Sequence, residues 1–340
     1  RASPALLFVL FVGCGVASTE YEGCCGTQDT CPLPGAGVRM GGFSGSGEDA
    51  LSTPVRRLIL MGGGAEDDPA SRSFVESAGG GDIVILRASG SLTSYPSYFS
   101  SSLSPDPAPA SVVTLLTDIP QKGADPAVLC RLGRAEAVWL AGGRQSVYLG
   151  LWPSELHEAL ADVSERGGAV GGTSAGAVSL GEAAFDAKLG TVTSETALEN
   201  PLSALVSVSY PTFAQPELSG VLVDSHFRQR SREGRLLAFL ARFISERDYS
   251  SVLGIGLDER VAVILENDSL EVSTQGYDGA WFYELRGPVS LAPGTPLNLS
   301  GLRRIKLGTG SHVPWPLNFD SLDAEQMHVD DGVVKLGAPG

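Results

Sequence analysis

The sequence predicts an α/β protein with a mostly parallel central sheet flanked by helices. Two observations carry this expectation. From Val55 onward, short apolar runs alternate with amphipathic stretches, the pattern of βαβ units. The runs are also apolar on both alternating faces, as in strands covered by helices on each side. Residues 55–61 read as the first strand, leading into Gly62-Gly63-Gly64, and residues 68–77 read as a helix. Strands follow at 82–86, 111–116 and 137–141, and a helix at 154–166. After Leu253 the texture changes to strands and turns, with apolar runs at 261–265, 280–285 and 303–307, so a β-rich C-terminal portion is expected.

The chain has 340 residues, 43% of them hydrophobic, enough to bury a large core. Its 43 glycines and 21 prolines fall in turns and near the N-terminus without a fixed period, which excludes collagen-like and solenoid readings. The formal charge of −15 argues against general affinity for nucleic acid or anionic membrane, both of which need clustered Lys and Arg. Gly62-Gly63-Gly64 is not a dinucleotide or phosphate loop, because neither the G-x-G-x-x-G spacing nor a following Lys-Ser/Thr is present. No cofactor and no metal site is expected.

Residues 5–12 are apolar and lead into small residues, the grammar of an export signal. Two cleavage readings stay open. Phe11-Val12-Gly13-Cys14 resembles a lipobox that would make Cys14 a lipid anchor, whereas Gly15-Val16-Ala17 offers an ordinary signal cleavage after Ala17. The protein is expected to be exported: extracellular, periplasmic or lipid-anchored in a bacterial envelope. The expected organisation is a signal at 1–17, a Gly/Ser/Cys-rich linker at 18–54, a catalytic domain at 55–310 and a C-terminal tail at 311–340. Within the linker, Cys24 or Cys25 is expected to bridge to Cys31, with Cys130 far along the chain.

Gly172-Thr173-Ser174-Ala175-Gly176 is a G-x-S-x-G between a short apolar segment and a helix-forming run. Small neighbours permit a strained strand-to-helix turn that exposes the Ser hydroxyl, with the Ala175 N–H placed for an oxyanion. Among His157, His226, His312 and His328, only His226 closes an apolar run at a strand end, where α/β sheets place their chemistry. It is the candidate base. The acid that orients it is expected at Glu259, after residues 254–257, with Asp258, Asp186 and Asp224 as open alternatives.

Gly171-Gly172-Thr173-Ser174-Ala175-Gly176-Ala177, the segment from Asp224 through His226 to Arg235, and residues 254–259 occur in the order that resembles the cyanophycinase branch of the S51 peptidases. Ala141-Gly142-Gly143-Arg144-Gln145 resembles the Gly-Gly turn of that branch, and the likeness spans roughly residues 55–307. The resemblance implies a class I glutamine amidotransferase-like fold of flavodoxin-like topology. It implies a Ser174-His226-Glu259 triad and an oxyanion hole from Ala175 and Gly143. Gln145, Asp224, Ser225, Arg230, Arg232 and Arg235 would then border the substrate. Guanidinium forks suit carboxylates, and Arg232 and Arg235 share a face if their segment is helical.

Two positions depart from the branch: Ser225 stands where Gln is usual, and Arg144 where Asn or Asp is usual. Both bear on the substrate, as does the long interval between Ser174 and His226, which implies a remodelled loop near residues 201–216. The leading expectation is an exported serine exopeptidase that cleaves aspartyl isopeptide substrates, cyanophycin to β-Asp-Arg dipeptides, by acyl transfer. An α-aspartyl dipeptidase and a catalytically silent, lipid-anchored binding protein are the alternatives, with esterase activity a minor one. The expected partner is a peptide or a cyanophycin-like polymer, with no nucleic acid and no membrane contact beyond Cys14; a homodimer stays open.

Overall fold

Runs of branched apolar residues form the middle of the molecule, which the computed structural model describes over residues 31–117, 119–211, 213–275 and 279–338. In chain order the first half comprises β1 (Arg39–Gly45), β2 (Leu58–Met61), α1 (Asp68–Ser77), β3 (Asp82–Arg87), α2 (Ser94–Ser97), β4 (Ser111–Leu116), α3 (Pro126–Arg134), β5 (Ala137–Leu140), α4 (Gln145–Tyr148), α5 (Ser154–Glu165), β6 (Ala169–Thr173) and α6 (Ala175–Val178). Then come β7 (Ala184–Phe185), α7 (Ser194–Glu199), β8 (Val208–Ser209), β9 (Val221–Asp224) and α8 (Glu233–Arg247). The last strands are β10 (Ser251–Leu257), β11 (Val261–Glu266), β12 (Ser269–Thr274), β13 (Ala280–Arg286), β14 (Leu299–Leu307), β15 (His312–Pro314), β16 (Glu325–Asp330) and β17 (Val333–Leu336).

Local chemistry explains the helix starts. Asp67 caps α1 by accepting the Ala70 N–H, Asp125 caps α3 by accepting that of Ala127, and each helix has a proline in its first turn. β2, β4 and β5 are buried along their whole length, which is why their sequences show no polar face.

The larger sheet has the order β1-β4-β3-β5-β6-β2-β11-β12-β15. Its centre, β4-β3-β5-β6-β2, is parallel, and the strands outside are antiparallel. The smaller sheet, β17-β16-β14-β13-β10-β9, is antiparallel except for the β9–β10 pair. Helix α8 packs on β10 and β9 and buries Leu236, Leu237, Phe239, Leu240 and Phe243. The C-terminal ends of β2 and β6 in one sheet thus meet those of β9 and β10 in the other.

Three expectations change. The segment read as a linker contains β1, which pairs antiparallel with β4 and satisfies that strand's outer edge; a bulge between Gly41 and Ser44 hides its alternation. The expected tail contributes β15 to the larger sheet and β16 and β17 to the smaller one. Cys31 bonds to Cys130 on α3, because the chain folds residues 99 apart in sequence onto one another. Cys14, Cys24 and Cys25, and with them the signal and anchor readings, lie outside the described residues. No helix among the described residues is long and apolar enough to cross a membrane.

Candidate active site

Strand β6 delivers Ser174 to the sheet end in a backbone conformation of φ +52° and ψ −118°, costly for a residue with a Cβ. Two features hold it there. The Ser174 N–H donates to the Met61 carbonyl at 2.9 Å. Gly176 permits the following helix to close on β5, since a Cβ at that position would lie 2.0 Å from the Leu140 oxygen.

His226 follows β9, also with positive φ (+47°), and Glu259 follows β10. Ser174 Oγ lies 2.8 Å from His226 Nε2, and His226 Nδ1 lies 2.6 Å from Glu259 Oε1. One proton arrangement satisfies all three groups: Nδ1–H donates to Glu259, and Nε2 accepts from Ser174. The His226 side chain is 11% exposed, and that of Glu259 29%. Burial pushes the His226 pKa below the ordinary imidazole range; the Glu259 hydrogen bond opposes this, and the charges of Arg230 and Arg232 reinforce it. The ring is therefore neutral at pH 7, the form that can take a proton from a hydroxyl.

The other acids have other partners. Asp258, fully buried, accepts the Arg228 backbone N–H at 2.8 Å and its Nε at 2.5 Å. Asp186 accepts from Ser207 and Ser209 on and beside β8, so the long interval before His226 folds into the β7–β8 pair rather than an open loop.

A cleft of about 290 Å³ is lined by Gly143, Arg144, Gln145, Phe185, Arg230, Arg232 and Arg235 among others; Gly143 follows Gly142, where a Cβ would lie 3.4 Å from Ser174 Cβ. Gln145 Nε2 donates to the Phe185 carbonyl. Arg235 is 3% exposed and is held by two bonds to Asp224, of 2.8 and 2.6 Å. Arg232 donates to the Ser225 carbonyl at 2.6 Å, and desolvation pulls its pKa down to about 10. Such a concentration of guanidinium groups favours a carboxylate-bearing ligand.

Asp224 and Ser225 do not line the cleft. Each is 2% exposed, and Asp224 works from beneath as the anchor of Arg235, so both are corrected from substrate contacts to supports. Ala175 opens α6, where helices leave N–H groups unpaired. In the Gly142-Gly143 turn, Gly142 is the residue beside the nucleophile: a Cβ there would lie 3.4 Å from Ser174 Cβ, whereas one at Gly143 would face Ser89 Oγ.

The chain is 31% identical over 275 residues to the cyanophycinase of Geminocystis herdmanii, covering 75% of this chain and 93% of that protein. The chain belongs to the cyanophycinase family. It is also 30% identical over 230 residues to the cyanophycinase of Synechococcus elongatus, covering 62% of this chain and 63% of that relative's length. No family model matches the chain. The crystal structure of a peptidase from an acI-B1 actinobacterium superposes with a TM-score of 0.51 at 14% identity, covering 78% of this chain and 98% of that one, which is a likeness of fold.

For this cyanophycinase-family chain, the residue that sequence reading passed over is Gly63. A Cβ at Gly63, whose φ is +93°, would lie 2.6 Å from both Cε1 and Nε2 of His226 and 3.1 Å from Ser174 Cβ. The glycine run reads from sequence as a tight turn after a strand and not as a phosphate loop; its place after a central strand is the signal that points to the site.

Proposed function

We propose that this chain is an exported serine peptidase that hydrolyses aspartyl isopeptide bonds, releasing β-Asp-Arg from cyanophycin. The observation that carries the reading is the Ser174–His226–Glu259 relay, with its 2.8 and 2.6 Å contacts, whose imidazole feels the charges of Arg230 and Arg232 that line the cleft. Neutral His226 removes the Ser174 proton as Oγ attacks the carbonyl, and Glu259 stabilises the imidazolium that forms. The Ala175 N–H and the Gly142-Gly143 turn receive the oxyanion. His226 then protonates the leaving amine, and water, activated by the same ring, releases the acyl group. Arg230, Arg232 and Gln145 hold the substrate's carboxylate groups, with Arg235 fixed behind them by Asp224.

The relatives named cyanophycinase support the substrate class. The Cys31–Cys130 disulfide supports export, since such bonds persist in oxidising compartments. The test is incubation of pure protein with insoluble cyanophycin and chromatography of the soluble products. Wild type is expected to release β-Asp-Arg, and Ser174→Ala to release none. Equal release by the variant, or cleavage of α-Asp-X but not β-Asp-X peptides by wild type, would overturn the reading.

A further inference from the structure

Three segments around the nucleophile each send a polar side chain into one buried cluster. Glu66 comes from the turn between β2 and α1, Tyr95 from α2, and Thr173 from the last position of β6, immediately before Ser174. Tyr95 and Thr173 are both buried, and the Tyr95 hydroxyl donates to Glu66 Oε1. Glu66 Oε2 and Thr173 Oγ1 are buried and have no other partner among the described residues. Thr173 is one of the groups that act on the Glu66 carboxyl. Buried polar atoms cost free energy unless they pair, so the carboxyl and the hydroxyl are each other's counterpart.

The cluster backs the oxyanion turn from two sides. Thr173 Cγ2 lies 3.9 Å from the place a Cβ on Gly142 would take, so the side chain that offers Oγ1 to Glu66 turns its methyl to that glycine. On the other side the Arg87 guanidinium lies over the Tyr95 ring, 5.4 Å from its centroid, and its Nε donates to the Ser89 carbonyl at 3.0 Å. Ser89 Oγ in turn is 2.8 Å from the place a Cβ on Gly143 would take. Burial pushes the Glu66 pKa above the ordinary carboxylate range, against the bonds from Tyr95 and Thr173 and the charge of Arg87. The neutral acid satisfies both neighbours: one oxygen accepts from Tyr95, and the O–H donates to Thr173.

We propose that Glu66 is a positioning residue for the Ser174 relay: its carboxyl fixes the side chain of Thr173, and through it the end of β6 that presents Ser174 to the Gly142-Gly143 turn. The inference rests on the serine-peptidase reading above. It gives Glu66 no contact with substrate, so its effect falls on the rate of the chemical step and not on binding.

The experiment follows labelling of Ser174 by a fluorophosphonate probe in wild type, Glu66→Gln, Glu66→Leu and Thr173→Val. It reads a maximal rate constant, a half-saturating concentration and the thermal transition of each protein. Glu66→Leu and Thr173→Val are each expected to lower the maximal rate constant about tenfold, the size of one hydrogen bond, with half-saturation within about twofold of wild type. The double variant should be no slower than either single one, because both remove the same contact. Glu66→Gln keeps a donor and an acceptor and should restore the rate constant to within about threefold of wild type. Thr173→Val keeps the shape of its side chain and carries the test together with Glu66→Gln where Glu66→Leu does not fold. Wild-type rate constants in Glu66→Leu and Thr173→Val, additive losses in the double variant, or a Glu66→Gln protein as slow as Thr173→Val would each overturn the role. A wild type that takes up no probe overturns the serine-peptidase reading, and this inference with it.

Discussion

The backbone N–H of His226 donates to the Gly62 carbonyl at 2.9 Å, joining the end of β9 in one sheet to the end of β2 in the other. The neighbouring carbonyls do the same work. Met61 accepts the Ser174 N–H, and Gly63 accepts that of Arg260, each at 2.9 Å. Three consecutive carbonyls therefore hold the three loops that carry the relay. Positive φ at Ser174 and His226 costs of order 1–3 kcal/mol each, and these bonds help offset it.

Gly63→Ala should inactivate the protein without unfolding it. The added methyl would meet the His226 ring at 2.6 Å, so the ring must shift from Ser174 or the turn must open. A misplacement of about 1 Å costs on the order of a hundredfold in rate. The expected outcome is a kcat lower by about that factor with thermal unfolding shifted by only a few degrees; full activity would show that the ring has room.

The acid limb of the pH profile should report His226. Its pKa lies below 6.5 in the folded protein, so kcat/KM should rise with pH and reach half its plateau below that value. Arg230 is one of the charges that push the imidazole down. Arg230→Gln should therefore move the limb to higher pH, whatever it does to KM. Glu259 pushes the other way, and Glu259→Gln should move the limb lower while reducing kcat by about ten-thousandfold. A limb that stays in place in both variants would assign the titration to another group.

The parallel core was legible because its strands are apolar on both faces; Ser174 stood out by its G-x-S-x-G and His226 as a polar residue closing an apolar run, while the choice of Glu259 over Asp258, Asp186 and Asp224 was not legible locally, since it depends on the 2.6 Å contact with His226 Nδ1. The roles of Asp224 and Ser225 were not. Chain neighbours of His226 look like site residues from sequence, but strand pleat turns alternate side chains to opposite faces, and Asp224 is drawn down by the buried guanidinium of Arg235. β1 was hidden by Gly41, Gly42 and Gly45, and the Cys31–Cys130 pairing is a contact across 99 residues that no local pattern encodes.

Asp224→Ala should destabilise the fold more than it perturbs chemistry directly. It strips Arg235, 3% exposed, of both its carboxylate bonds and leaves a buried charge without its counter-ion. Breaking such a pair costs about 3–5 kcal/mol. Urea unfolding should show that loss, and the double variant Asp224→Ala/Arg235→Ala should lose less than the sum of the two single changes. Strict additivity would mean that the two side chains are not coupled.

The disulfide should act as a staple on the β1 side of the molecule. It ties Cys31, just before the edge strand, to Cys130 on α3, and both residues are buried, at 7% and 8% exposure. Cross-linking across so long a loop stabilises by about 2–4 kcal/mol, chiefly by restricting the unfolded chain. In a chain of this size that corresponds to roughly 3–6 °C in Tm. Neither cysteine lines the cleft, so Cys130→Ser should lower Tm by that amount while leaving kcat at 25 °C within about twofold of wild type. Reduction of the wild type should reproduce the variant's Tm and should not lower that of Cys130→Ser further. An unchanged transition after reduction would mean that the strap before β1 is held by its strand pairing with β4 alone.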